Sequence, residues 1–188
     1  LDGVTGVQTC ALPIFNRINA SMVPIPDERG GRFVIYPFVH TFNQLVPPEA
    51  YFDEHPEYFS LVDGERQREG NRVQLCLTNP DVLRIATEAV LRWIAEHPEA
   101  DLFSIDQNDG YGYCECPNCA ALDAAEESHS GSLLHFVNQI ADVVAKKHPD
   151  VQLQTLAYVY SEVPPKTIRP RPNVTIRMCH YEYCQAHA

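Results

Sequence analysis

With 188 residues, 45% of them hydrophobic, the chain is long enough to bury one core. Its formal net charge is −11 and it carries no run of basic residues. That charge argues against nucleic acid and anionic membranes as partners, and no apolar run is long enough to span a bilayer.

In chain order, the first segment to consider is Val4 to Ile14, which reads like the translation of a sequencing adapter. It has neither helical nor strand periodicity. It also lacks the basic and long apolar regions of a signal peptide. Residues 1–14, with Cys10, are therefore expected to be non-native, and residues 15–188 to form a partial domain truncated at both ends. Phe33 to His40 reads as a buried strand, apolar with aromatic and β-branched residues, although Pro37 weakens it. A Pro-rich connection and a turn at Asp63-Gly64 follow, then the short apolar segment Arg72 to Leu77.

Asn79-Pro80 predicts a helix start, with Asn as cap and Pro in the first turn. Val82, Ile85, Ala86, Ala89 and Trp93 recur at helical spacing, and His97-Pro98 stops the helix. Asp101 to Asp106 predicts a strand. Ser130 is expected to cap a second long helix with Leu133, Phe136, Val137, Ile140, Ala141 and Val144 on one face. Lys146, Lys147 and His148 suit its last turn, and Pro149 ends it. Val151 to Tyr160 and Val174 to Cys179 predict two further strands.

Strands alternating with helices imply βαβ crossovers and a parallel sheet. A doubly wound sheet and a TIM barrel both fit. No G-x-G-x-x-G follows a strand, so the dinucleotide fold loses its main support, and no organic cofactor is expected. Polar and aromatic residues gather at the predicted strand ends: His40, Asp106 to Asp109, Tyr158 and Tyr160, His180 and Glu182. TIM-barrel active sites lie there. The expected class is therefore α/β, a fragment of a TIM (β/α)8 barrel with about four parallel strands and intervening helices.

Two groups of residues could carry chemistry. Cys114, Cys116 and Cys119 form a C-x-C-x-x-C cluster, and Cys76, before the Asn79 helix, is the best fourth ligand for a closed tetrahedral zinc site. The alternatives are a disulfide with thiols left over, or four reduced thiols. Asn108-Asp109 follows the strand that ends near Asp106, and a partly desolvated carboxyl there suits a general acid. The plain alternative is a loop Asp that caps the next turn. Asp106 is a second candidate; in an extended strand it and Asp109 point to opposite faces. Glu182 is the candidate base or nucleophile, since glycoside hydrolysis needs two carboxyls. Asn108, His40, Tyr158 and His180 are candidate sugar-binding residues, and Tyr160 belongs with them. Strand-end packing is the competing reading for each.

From Phe33 onward the chain resembles domain-of-unknown-function family 4838, grouped with TIM-barrel glycoside hydrolases. The segments that carry the resemblance are His40-Thr-Phe42, His55 to Phe59, Gln74 to Pro80, Gln107-Asn-Asp109, Cys114 to Cys119, Ser130 to Leu134 and Leu156-Ala-Tyr158. The resemblance implies action on a complex polysaccharide in the periplasm or outside the cell. A weaker similarity, to zinc-containing TIM-barrel β-galactosidases, places Cys76 and the three clustered cysteines on zinc ligands. It also places Asn108 on a substrate-binding Asn and Asp109 on the general acid/base, where those enzymes carry Glu. Two rival expectations stand beside hydrolysis. One is a non-catalytic carbohydrate-binding barrel; the other is a metal-dependent hydrolase with Asp106, His180 and Glu182 as ligands.

Overall fold

The structure is a computed structural model and describes residues 34–70 and 73–179. The chain runs through β1 (Ile35–Tyr36), the short helices α1 (Phe42–Leu45) and α2 (Pro48–Tyr51), and a hairpin of β2 (Leu61–Val62) and β3 (Glu65–Arg66). Helix α3 (Pro80–Glu96), strand β4 (Leu102–Ser104) and helices α4 (Pro117–Glu126) and α5 (Ser130–Lys147) follow. Strands β5 (Gln152–Ala157) and β6 (Val174–Met178) complete the described elements.

Four strands form one sheet in the order β1-β4-β5-β6, and every pairing is parallel. The hairpin stands apart, so each sheet strand lies beside the one that precedes it. A doubly wound sheet reverses its strand order at a switch point; this sheet has no reversal among the described residues. Phe103, Ile105, Leu153 and Val174 share one core with Val82, Ala86 and Val90 of α3 and with Phe136, Val137 and Ile140 of α5. Both long helices thus cover the same face. Sequential parallel strands with helices on one side are the layout of consecutive units of a (β/α)8 barrel. No helix among the described residues is long and apolar enough to cross a membrane.

Local chemistry explains α3. The Asn79 side chain accepts from the backbone N–H of Asp81 at 2.9 Å and of Val82 at 3.3 Å, with Pro80 in the first turn. Three expectations need correction, and one element was not foreseen. The first strand stops at Tyr36, because Pro37 has no N–H to donate to a ladder. The short apolar segment before α3 contributes one bridge, Phe59 to Leu75. The β5 strand ends at Ala157, where Val159 adopts φ +53° and turns the chain. His129, not Ser130, is the N-cap of α5; the Ser130 hydroxyl donates to Val163 O at 2.6 Å and ties down the following loop. Finally, α4 was not expected. Its buried residues are Cys119, Asp123 and Glu126, so it has no apolar stripe for periodicity to detect.

Helix α4 and α5 approach closely at Gly131. A Cβ built there would lie 2.7 Å from Glu126 Cβ and 3.0 Å from Glu126 Cγ. Gly131→Ala gains about 1 kcal/mol of helix propensity, but overpacking costs about 1–3 kcal/mol. Because the clash is with a Cβ and not a flexible tip, the clash is expected to win. Urea unfolding should show a net loss of up to about 2 kcal/mol; a more stable variant would contradict the close approach.

Candidate active site and metal centre

The sheet's parallel strands place their C-terminal ends on one side. The chain after β4 leaves the ladder, and Asp106 and Asp109 meet opposite environments. Asp106 is 0% exposed. Its backbone is held by the β1–α1 loop: Thr41 and Phe42 N–H groups donate to its carbonyl at 3.0 and 3.2 Å, and its own N–H donates to Thr41 Oγ1 at 2.9 Å. Neither carboxyl oxygen has a hydrogen-bond partner among the described residues. Burial pushes this carboxyl up to about 7; Ser104, the Arg177 guanidinium and Gln154 lie near enough to draw it only part of the way back. The Arg177 guanidinium sits 4.6 Å from the centre of the Phe38 ring, and its Nη1 is likewise buried without an acceptor.

An unpaired buried carboxyl costs stability in a pH-dependent way. In the unfolded chain Asp106 loses its proton near the ordinary carboxyl value of 3.8, and in the folded chain near 7. Between those values only the folded state holds the proton, so stability falls as pH rises through that window. Three pK units correspond to at most about 4 kcal/mol. Asp106→Asn is expected to flatten this slope and to raise stability at pH 8, by up to about 4 kcal/mol less the 1–3 kcal/mol an unpaired amide costs. Urea unfolding at pH 5 and pH 8 measures it. Parallel pH profiles for the two proteins would refute the assignment.

Asp109 is exposed and accepts the Tyr158 O–H at 2.7 Å. That contact, together with burial, pushes Tyr158 up to about 12, so the phenol keeps its proton and remains a donor. The His40 ring lies 5.8 Å from the Tyr158 ring, and His40 Nδ1 pairs with Gln107 O at 2.8 Å. Structure thus brings Asp109, Tyr158 and His40 together. Asn108 serves the loops instead: its amide nitrogen donates to Asn43 Oδ1 and Val73 O at 2.8 and 2.9 Å, and its Oδ1 accepts from Asn43 N. His180 and Glu182 lie outside the described residues, as does residues 1–14.

Sequence reading missed Gln107, the buried residue that joins this mouth together. Its amide nitrogen donates to Tyr158 O at 2.7 Å and its amide oxygen accepts from Ser161 Oγ at 2.5 Å. An amide within a predicted strand end was the available signal. Two side-chain-bearing residues, His40 (φ +56°) and Val159 (φ +53°), adopt the left-handed region beside this cluster. For a β-branched residue that conformation is strained, and such strain gathers where a site must be held in a set shape. Tyr160 does not join the mouth; it faces the α4 side, 5.9 Å from Tyr113.

The cysteines converge. Cys76 precedes α3, Cys114 and Cys116 lie on the loop after β4, and Cys119 is in the first turn of α4. Their four sulfurs all lie within 4.8 Å of one another and all four residues are buried. Cys76 and Cys116 sulfurs are 3.6 Å apart, and none of the four is in a disulfide. Tetrahedral zinc with 2.3 Å bonds needs sulfurs about 3.8 Å apart, so the spacing fits. Leu61 N–H donates to Cys114 Sγ at 3.4 Å and Arg66 Nη1 approaches it at 3.9 Å; both would offset thiolate charge. Without a cation the thiols cannot all ionise. Contacts from Cys114 and Cys119 pull Cys76 far down. Cys119 is driven up by Cys114 and Cys76. Cys114 gains from Cys119 but loses more to Cys76 and burial, and reaches about 12. The residues present fit a metal ion.

A family model described as a domain of unknown function, DUF4838, matches residues 9–188. Similar solved structures include the GH36 alpha-galactosidase AgaB from Geobacillus stearothermophilus, at 14% identity and a TM-score of 0.36. A variant of the GH36 alpha-galactosidase AgaA from the same organism, in complex with raffinose, is also 14% identical, with a TM-score of 0.35. Each match covers 56% of this chain and 14% of the enzyme. No curated protein matches.

Proposed function

The chain belongs to the DUF4838 family, and from that premise we propose that it contributes part of the active site of a glycoside hydrolase acting on a complex polysaccharide. The observation that supports this best is Asp109, exposed at the C-terminal mouth of parallel strands and gripped by the Tyr158 hydroxyl at 2.7 Å. Asp109 supplies acid/base chemistry, Tyr158 orients it, and His40 borders the space where a sugar would lie. Asn108 positions the loop that carries Asp109. Glu182 is the proposed second carboxyl, the base or nucleophile that the reaction requires.

A second reading gives the proton-donor role to Asp106. A carboxyl held protonated to about 7 by burial has the property a general acid needs at neutral pH. The four cysteines hold zinc in this proposal, which the convergence of their buried sulfurs within 4.8 Å of one another supports. With four thiolates and no open position the ion is structural; it would tie the loop after β4 and the start of α4 to the segment before α3.

The test is hydrolysis of a panel of aryl-glycosides, aryl-uronides and polysaccharides by the metal-loaded, full-length protein. Release of product from at least one class is expected. Saccharide binding with no hydrolysis of any class would replace this reading with the non-catalytic carbohydrate-binding barrel.

A further inference from the structure

Beside the metal centre lies a cavity of about 430 Å³, within the range of about 300–1,000 Å³ usual for small-ligand sites. It is separate from the Asp109–Tyr158 pair. Its walls come from the loop after β4, one side of α4, and the turns before α5 and after β5. Three rings line it. Tyr113 stacks on His129 with centroids 3.6 Å apart, and Tyr160 stands 5.9 Å from Tyr113 at 59°. Burial, with Asp123 and two nearby cysteines, drives the Tyr160 phenol far up, so it stays neutral.

Glu115, Asp123 and Glu127 contribute carboxylates to this space, and no Lys or Arg among the described residues lines it, although Lys166 pairs with Glu127. Asp123 is buried and holds His129 Nδ1 at 3.1 Å and Ser132 N–H at 2.8 Å. Glu115 Oε2 accepts from Asp63 N–H at 2.7 Å, and Glu127 Oε1 pairs with Lys166 at 2.5 Å. Aromatic faces attract cations through their quadrupoles, and nearby carboxylates add to that field. Anionic ligands are disfavoured by the same charges. Cys114 is both a wall of the cavity and a member of the cysteine cluster, so the metal centre would keep the rings in place.

We propose that this cavity is a second binding site, for an amine-bearing sugar residue whose ring lies against Tyr113 and Tyr160 and whose ammonium faces the Glu115 carboxylate. The sugar half of this proposal rests on the carbohydrate reading above; the cationic half rests on the cavity alone. The site would hold a polysaccharide chain, while the Asp109 mouth acts on it.

Calorimetric titration of the metal-loaded protein with glucosamine, glucose and glucuronate, at a pH where the amine is protonated, tests it. Glucosamine is expected to bind up to about fivefold more tightly than glucose, the worth of one exposed ion pair, and glucuronate not at all. Glu115→Gln keeps an acceptor for Asp63 N–H and removes the charge. It should reduce glucosamine affinity and leave glucose affinity unchanged. Tyr113→Ala should weaken both, with retained metal content showing that the protein is folded. Asp109→Asn should leave glucosamine binding intact even where hydrolysis is lost, which separates this site from the catalytic reading. Equal binding of glucose and glucosamine, or glucosamine binding indifferent to both Glu115→Gln and Tyr113→Ala, would overturn the proposal.

Discussion

Replacing Asp109 by Asn in the full-length protein is expected to slow hydrolysis by a factor of about 100 to 10,000 on glycosides with poor leaving groups, the usual worth of a general acid or base. Asn keeps the shape, and its amide oxygen can still accept the Tyr158 O–H that now binds Asp109 at 2.7 Å. Only the charge and the transferable proton are removed, so the loss reports on chemistry and not on a collapsed loop. Leaving-group dependence then decides the role. Activated aryl-glycosides need little protonation, so a general acid predicts a much smaller loss on them. An equal loss on both substrate types would make Asp109 the base or nucleophile, or a binding residue. Unchanged rates on both would remove it from the mechanism and leave Asp106 as the proton donor. Tyr158→Phe should give a smaller defect of the same kind, since it frees the carboxylate without removing it.

Removal of the metal is expected to have the largest effect on stability. Elemental analysis should find about one zinc ion per chain. A ligand present at 1,000 times its dissociation constant stabilises the folded state by about 4 kcal/mol. For a chain of this size that is roughly 8–16 °C in melting temperature. Strong chelation, or Cys76→Ser, should lower the melting temperature by that order. Cys179→Ser is the control: Cys179 is a free thiol outside the cluster, and its loss should leave metal content unchanged. A disulfide linking two of Cys76, Cys114, Cys116 and Cys119 in the purified protein would defeat the assignment, as would full stability without metal.

Much of the scaffold was legible in the amino-acid order because it depends on neighbours in sequence. The Asn79-Pro80 start, the apolar stripes of α3 and α5 and the Pro149 stop follow from backbone caps and 3.6-residue periodicity, which act over a few residues. The alternation of strands and helices likewise implied a parallel sheet, and the C-x-C-x-x-C spacing implied clustered thiols. Sequence alone allowed two folds, however. Strand order separated them, since it is a property of pairing between distant segments.

The site was legible only in part, and for the same reason. Residue types at strand ends singled out Asp106, Asp109, Tyr158 and His40, but not their environments. Asp106 is buried and unpaired while Asp109, three residues later, is exposed and bound to Tyr158; that contrast arises from the β1–α1 and β5–β6 loops folding over the end of β4. Helix α4 escaped notice because it buries Cys119, Asp123 and Glu126. These residues are stable there only because partners elsewhere receive them: the other cysteines, His129 and Ser132, and the Thr167 and Ile168 N–H groups. Sequence by itself determined the two long helices, the approximate places of the sheet strands and which residues carry reactive groups. Tertiary structure decided which groups meet, which lose their water and which remain exposed, because burial and hydrogen bonding there join residues tens of positions apart.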